Sequence, residues 1–178
     1  MQTDIPDLIF SEPWAVAVLT AIVLLVLAWQ RTLSYTEYRI ANDAKYALFS
    51  LLDGWASKRG RPLIREKGWA ESSAEFVTTV DGDVRSVFAT LRAAGFSPHL
   101  LATTKVRRTT DGREIPADAQ LVFIHGNGQQ TEAYLFGHQQ GVDVYSHTEA
   151  AVYDPRGHVT DAQQAGDPRD VVRDALRA

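Results

Sequence analysis

The sequence predicts an α+β protein with three parts: a single N-terminal transmembrane helix, an amphipathic juxtamembrane helix, and a small domain whose mainly antiparallel sheet packs on one helix. Three observations carry this reading. The run "WAVAVLTAIVLLVLAW", Trp14 to Trp29, holds no charged residue. Beyond it, Ile40, Ala44, Ala47, Leu48, Leu51, Leu52 and Trp55 recur at the spacing of one helix face. After Ser73 the pattern changes to short alternating runs broken by turn signals, of which Asn127-Gly128 is the strongest.

These shifts divide the chain into six segments: a short extracytoplasmic N-terminus (1–12), a transmembrane helix (13–32), an amphipathic helix (33–57), a basic linker (58–72), an α+β domain (73–155), and a polar tail with a short C-terminal helix (156–178). The apolar run covers roughly 24 Å as a helix, short of the roughly 30 Å of bilayer hydrocarbon. Its flanks lengthen it. Ser11-Glu12-Pro13 reads as cap, acidic first turn and early proline, and Gln30 to Leu33 can continue the last turn. Trp14 and Trp29 bracket the run at the two headgroup zones, and Arg31 can snorkel to the nearer one.

A cleaved export signal needs a basic stretch ahead of the apolar run. Here Asp4, Asp7 and Glu12 precede it with no Lys or Arg, and no small-residue cleavage site follows "LAWQR". Arg31, Arg39 and Lys45 all follow the span, so the charge asymmetry places the N-terminus outside and the trailing domain at the cytoplasmic face of the cell membrane. The lipid bilayer is therefore the first expected partner.

The helix over 33–57 has an apolar stripe that packs on the domain or on a second copy, or else lies along the bilayer with help from Tyr35, Tyr38 and Tyr46. After it, Lys58, Arg59, Arg61, Arg65 and Lys67 form a basic linker that suits an anionic surface or simply solvent. A second basic group, Lys105, Arg107, Arg108 and Arg113, crowds the hairpin expected at Asp111-Gly112. That tip suits a phosphate-rich partner, an anionic membrane surface or simply solvent; it has no interleaved aromatics, and a net charge of −4 gives no invitation to nucleic acid. The chain has no cysteine, which excludes disulfides and thiolate metal sites.

Within the domain, "AEFVTTV" alternates as a strand. "DGDVRSVFATLRAAGF" then places Val84, Val87, Phe88 and Leu91 on one helix face, with Asp81 or Asp83 as cap and Gly95 as the stop. Pro116 limits the return strand of the Asp111-Gly112 hairpin. If Asn127-Gly128 and the "GHQQG" turn are both tight two-residue loops, Val122, Ile124, Ala133, Leu135, Val142 and Val144 share an aliphatic face on which the helix packs. The opposite face gathers Leu121, Phe123, His125, Glu132, Tyr134, Phe136, Asp143, Tyr145 and His147, with Glu132 opposite His147 and Tyr134 opposite Tyr145. At the C-terminus, Asp167 caps and Pro168 opens a short helix whose stripe is Val171, Val172, Ala175 and Leu176.

That second face supplies the candidate site. Phe123, Tyr134, Phe136 and Tyr145 form an aromatic surface suited to a protein partner or self-association. Glu132 beside His147, with His125, is the arrangement a general base requires, but cross-strand His–Glu pairs are more often structural. His125, His138 and His147 match no metal-ligand spacing, and no nucleotide loop, nucleophile elbow or zinc-protease motif occurs. No metal and no cofactor is expected. The sequence thus predicts a single-pass membrane protein presenting a small domain for partner binding or scaffolding, ahead of a virus-encoded lysis or exclusion factor and a membrane-tethered hydrolase.

Overall fold

The structure, a computed structural model, describes residues 13–57, 75–100, 105–108, 111–126, 128–151 and 168–178. Two helices come first: α1 (Pro13–Gln30) and α2 (Tyr35–Ser57). They are followed by β1 (Phe76–Val80), α3 (Val84–Ala93), β2 (Ser97–Pro98), β3 (Val106–Arg108), β4 (Glu114–Pro116), β5 (Ala119–Ile124), β6 (Gln129–His138), β7 (Gly141–Ala150) and α4 (Pro168–Arg177). The main sheet is antiparallel in the order β1-β7-β6-β5-β2, and β3-β4 is a separate hairpin. The α+β class with a mainly antiparallel sheet is therefore as the sequence predicts.

The core lies between the sheet and the helices. Ala119 and Leu121 of β5, Ala133 and Leu135 of β6, and Val142 and Val144 of β7 meet Val87, Phe88 and Leu91 of α3, Val172 and Ala175 of α4, and Tyr38 of α2. α3 begins where the Asp83 carboxylate accepts the Ser86 N–H at 2.7 Å. It stops before Gly95, whose φ of +95° suits a residue without Cβ. α4 is amphipathic and docks its Val172–Ala175 face, as a ten-residue helix must to persist. Its expected cap, Asp167, lies outside the described residues.

One strand is out of its expected register. Glu132 does face His147, and Tyr134 faces Tyr145, because Gln139-Gln140 is a two-residue turn with His138 paired to Gly141. The preceding hairpin is longer than expected. The His125 N–H donates to the Gln129 carbonyl at 2.8 Å, leaving residues 126–128 as a three-residue loop that ends in Gly128 at φ +82°. That extra residue slides β5 by one, so Leu121 pairs with Ala133 and Val122 with Glu132. Leu121 and Phe123 therefore belong to the helix-covered face, and Val122 to the other, since a slip of one exchanges the faces of a strand.

The two N-terminal helices are fastened to the domain at their turn. Ser34 and Glu37 form a capping box at the start of α2, with the Ser34 N–H and hydroxyl both donating to Glu37 Oε2 at 2.8 and 2.7 Å. Arg92 of α3 donates to the carbonyls of Leu33 and Arg31 at 2.9 and 2.8 Å, a cation at the C-terminal end of α1. The Leu100 N–H donates to Gln30 Oε1 at 2.8 Å, and the Gln120 N–H to the Tyr38 hydroxyl at 2.8 Å. Arg39 meets Asp118 at 2.6 Å, and the other oxygen of Asp118 accepts the Gly137 N–H at 2.8 Å. Among the described residues no helix is long and apolar enough to cross a membrane. The 18 residues of α1 measure about 27 Å, and Leu27 and Gln30 in its last turn are drawn against the domain.

Candidate functional site

Even-numbered residues of β6 and odd-numbered residues of β7 form the second face of the sheet. It is not open. The β3–β4 hairpin lies over it: Lys105 Nζ sits 5.4 Å above the Tyr134 ring, Arg107 sits 5.3 Å above Phe136, and Arg107 pairs with Asp143 at 2.6 Å. Tyr134, Phe136 and Tyr145 are buried with Ala117 as a small second core. Phe123 is on the opposite face, 5.3 Å from Phe96. The strip is too apolar to be left bare, and Lys105 and Arg107 of the chain's own hairpin lie over Tyr134 and Phe136.

Beside these rings lies a buried polar cluster centred on Glu132, which is 2 % exposed. Its Oε1 accepts from His99 Nε2 at 2.8 Å and from Gln130 Nε2 at 3.0 Å. Its Oε2 accepts from the Tyr134 hydroxyl and lies 3.5 Å from His147 Nε2. Gln130 Nε2 also donates to Glu149 Oε1 at 3.0 Å, and Glu149 Oε2 lies 3.6 Å from His147 Nε2. On the far side of the imidazole, Nδ1 is 3.7 Å from Glu75 Oε1. Burial pushes the Glu132 carboxyl up, but the charge and hydrogen bond of His99, then the charges of His147 and Lys105, outweigh it and hold the group below the usual carboxylate range.

Of the sequence candidates, Glu132 and His147 meet here. His125 does not: it bonds the Thr131 hydroxyl at 2.8 Å and stacks edge-on against Phe123, on the helix-covered face. His138 turns to Asp143 at 3.2 Å, at the far end of the strands. His99, Gln130, Glu149 and Glu75 join the cluster unforeseen. The strand parity of β6 and β7 already placed Gln130 and Glu149 on this face. His99 has no such signal, because it follows a two-residue edge strand too short to show a parity. Glu132, His147 and Glu149 each offer one ligand atom, and these atoms lie within 4.8 Å of one another.

The helices carry a second candidate surface. Trp14 and Leu25 of α1 are each 69 % exposed, and Val18, Ile22, Leu24 and Trp29 are also bare. On α2 the predicted stripe points away from the domain: Ile40, Leu48 and Leu51 are exposed, while Tyr38 and Asn42 face inward. The domain takes the opposite, tyrosine-bearing side of the helix, and the side chains of Leu52 and Trp55 lie outside the described residues. An apolar groove of about 440 Å³ runs between Val26 and Trp29 on one wall and Ala41, Ala44, Lys45 and Leu48 on the other, with Leu100 beside them. Burial pushes the Lys45 ammonium down to about 8, against the attraction of Glu132.

Arg107 is committed to Asp143, and Arg113 pairs with Asp111 at 2.8 Å. Lys58, Arg59, Arg61 and Arg65, and the side chain of Arg108, lie outside the described residues. Arg31 is exposed, with its carbonyl held by Arg92. No protein family, curated protein or solved structure matches this chain.

Proposed function

We propose that this protein is a single-pass membrane protein that holds a small α+β domain tightly against the cytoplasmic face of the cell membrane as a binding or scaffolding platform. The observation that carries the reading is the exposed apolar surface of α1, where Trp14, Val18, Ile22, Leu24 and Leu25 are each more than half exposed. Such a patch calls for lipid or another chain. A reach of about 27 Å is accommodated by local thinning of the bilayer. Arg31, Arg39 and Lys45 favour the cytoplasmic side for the domain.

The partner-binding surface moves from the sheet to α2. Ile40, Leu48 and Leu51 form a stripe beside the membrane, and the clasp of Arg39 on Asp118 fixes its direction. Catalysis by Glu132 and His147 is disfavoured, because both residues are buried, at 2 % and 7 % exposure. The test is fractionation of the full chain. It should stay with membranes through alkaline carbonate, dissolve in detergent, and keep its C-terminal domain intact when protease is added outside whole cells. A soluble monomer without detergent, or digestion of the domain from outside, would overturn the proposal.

A further inference from the structure

We infer that Glu132, His147 and Glu149 form a binding site for one divalent first-row transition ion, of the Zn²⁺ or Mn²⁺ type, between β6 and β7. His147 Nε2 stands 3.5 Å from Glu132 Oε2 and 3.6 Å from Glu149 Oε2. These separations are too long for good hydrogen bonds. They are close to the roughly 3.4 Å that separates two ligand atoms each about 2.1 Å from a shared tetrahedral ion.

The surroundings are arranged as a ligand set requires. Gln130 Nε2 holds Oε1 of both carboxylates, at 3.0 Å each, and leaves both Oε2 atoms on the side of the imidazole. His99 secures Glu132 from the sheet edge at 2.8 Å. Glu75 Oε1 lies 3.7 Å from His147 Nδ1, on the side of the ring away from the two ligand carboxylates. Behind the ring, Glu75 Oε2 is buried with no hydrogen-bond partner. The Tyr134 hydroxyl, 3.4 Å from His147 Nε2, donates to Glu132 Oε2 and supports that carboxylate from outside the ligand set.

One imidazole with two carboxylates suits Zn²⁺, Mn²⁺, Fe²⁺ or Co²⁺ and not the all-oxygen shells of Ca²⁺ and Mg²⁺. Entry is from the side of Glu149 and Glu75, whose side chains are 24 % and 16 % exposed. Because the other ligands are buried, the ion would pin β6 to β7 and Glu75 beneath the hairpin, a structural role.

The decisive experiment uses the untagged full chain in detergent, stripped with a chelator and titrated with Zn²⁺, Mn²⁺ and Co²⁺. One ion per chain should bind, the Co²⁺ form should show visible d–d absorption, and the melting temperature should rise with metal. Glu149→Gln, at a partly exposed position, should bind at least tenfold more weakly. Gln130→Ala should lose about 10- to 100-fold in affinity. Asp111→Asn, on the exposed hairpin, should bind like the unaltered chain. Circular dichroism without metal confirms that each variant folds, and if His147→Gln does not, Glu149→Gln decides alone. Absence of saturable binding, or equal affinity in Glu149→Gln, would overturn the site, the second outcome meaning that an ion is held elsewhere.

Discussion

The helical pair and the sheet domain invert each other's burial. α1 and α2 turn Trp14, Leu25, Ile40 and Leu51 outward, whereas the sheet encloses Glu132, His99, Gln130 and His147. A bare apolar patch and a buried polar group are the two informative departures from ordinary folding. Here each region carries one of them. The helices lack an apolar medium. The sheet lacks partners for polar atoms, since both amide atoms of Gln120 and Nδ1 of His99 are buried without hydrogen bonds. The join between the regions shares the sheet's deficit, as Gln30 Nε2 and Asn42 Oδ1 show.

The largest test of this contrast removes the centre of the polar cluster. Glu132→Ala strips the shared acceptor from His99, Gln130 and Tyr134 and should cost about 3–5 kcal/mol in urea unfolding of the detergent-held chain. A loss below about 1 kcal/mol would mean the cluster is not part of the folding core.

Next comes a pH effect at the boundary. Lys45 falls from 10.5 to about 8 on folding, chiefly through burial, with Glu132 the charge that opposes the fall. Below pH 8 the ammonium is charged in both states, and the folded chain bears the whole cost of desolvating it. Between pH 8 and 10.5 the unfolded chain keeps a proton the folded one has released, so stability climbs with pH, by about 3 kcal/mol at most. Lys45→Met should abolish the climb; a rise of equal size in that variant would assign it to another group.

The clasp between the regions is worth less. Asp118→Ala removes the carboxylate that Arg39 and the Gly137 N–H share, leaving Arg39 only the residue's carbonyl at 3.3 Å, for a cost of about 2 kcal/mol. It should speed amide hydrogen exchange in α2 and leave the β6–β7 strands protected. Equal acceleration in both would show that the helices and the sheet open as one unit.

What the sequence disclosed follows from parity and period, and what it hid follows from loop length and long-range contact. The opposition of Glu132 and His147 was legible because "GHQQG" closes as a two-residue turn. The face of β5 was not, because the same reasoning applied to Gly126-Asn127-Gly128 miscounted the loop by one, carrying His125 and Phe123 to the wrong side. A helical period also reveals that α2 has a stripe, yet not which side the domain takes. Tyr38 won that contest through Phe88 and the Gln120 N–H, contacts 50 and 82 residues away in the chain. The cover over Tyr134 and Phe136 is equally non-local, resting on Lys105 and Arg107 that periodicity treats as solvated charge.

The smallest effect is the most discriminating for the helices. Leu51 is 72 % exposed, so Leu51→Ser should leave the unfolding free energy of the domain within about 0.5 kcal/mol. The same leucine placed against a partner or in the membrane interface is worth about 1.5–3 kcal/mol of burial. Its loss should therefore weaken self-association or partner capture roughly 10- to 100-fold, measured for the full chain by sedimentation in detergent and by cross-linking in membranes. The paired control is Leu91→Ala, an inward leucine of α3, which should lower stability by about 2–5 kcal/mol without touching association in the folded fraction. A Leu51→Ser chain that melts like the Leu91 variant would place the α2 stripe inside the domain's core, and the opposition between the two regions would disappear.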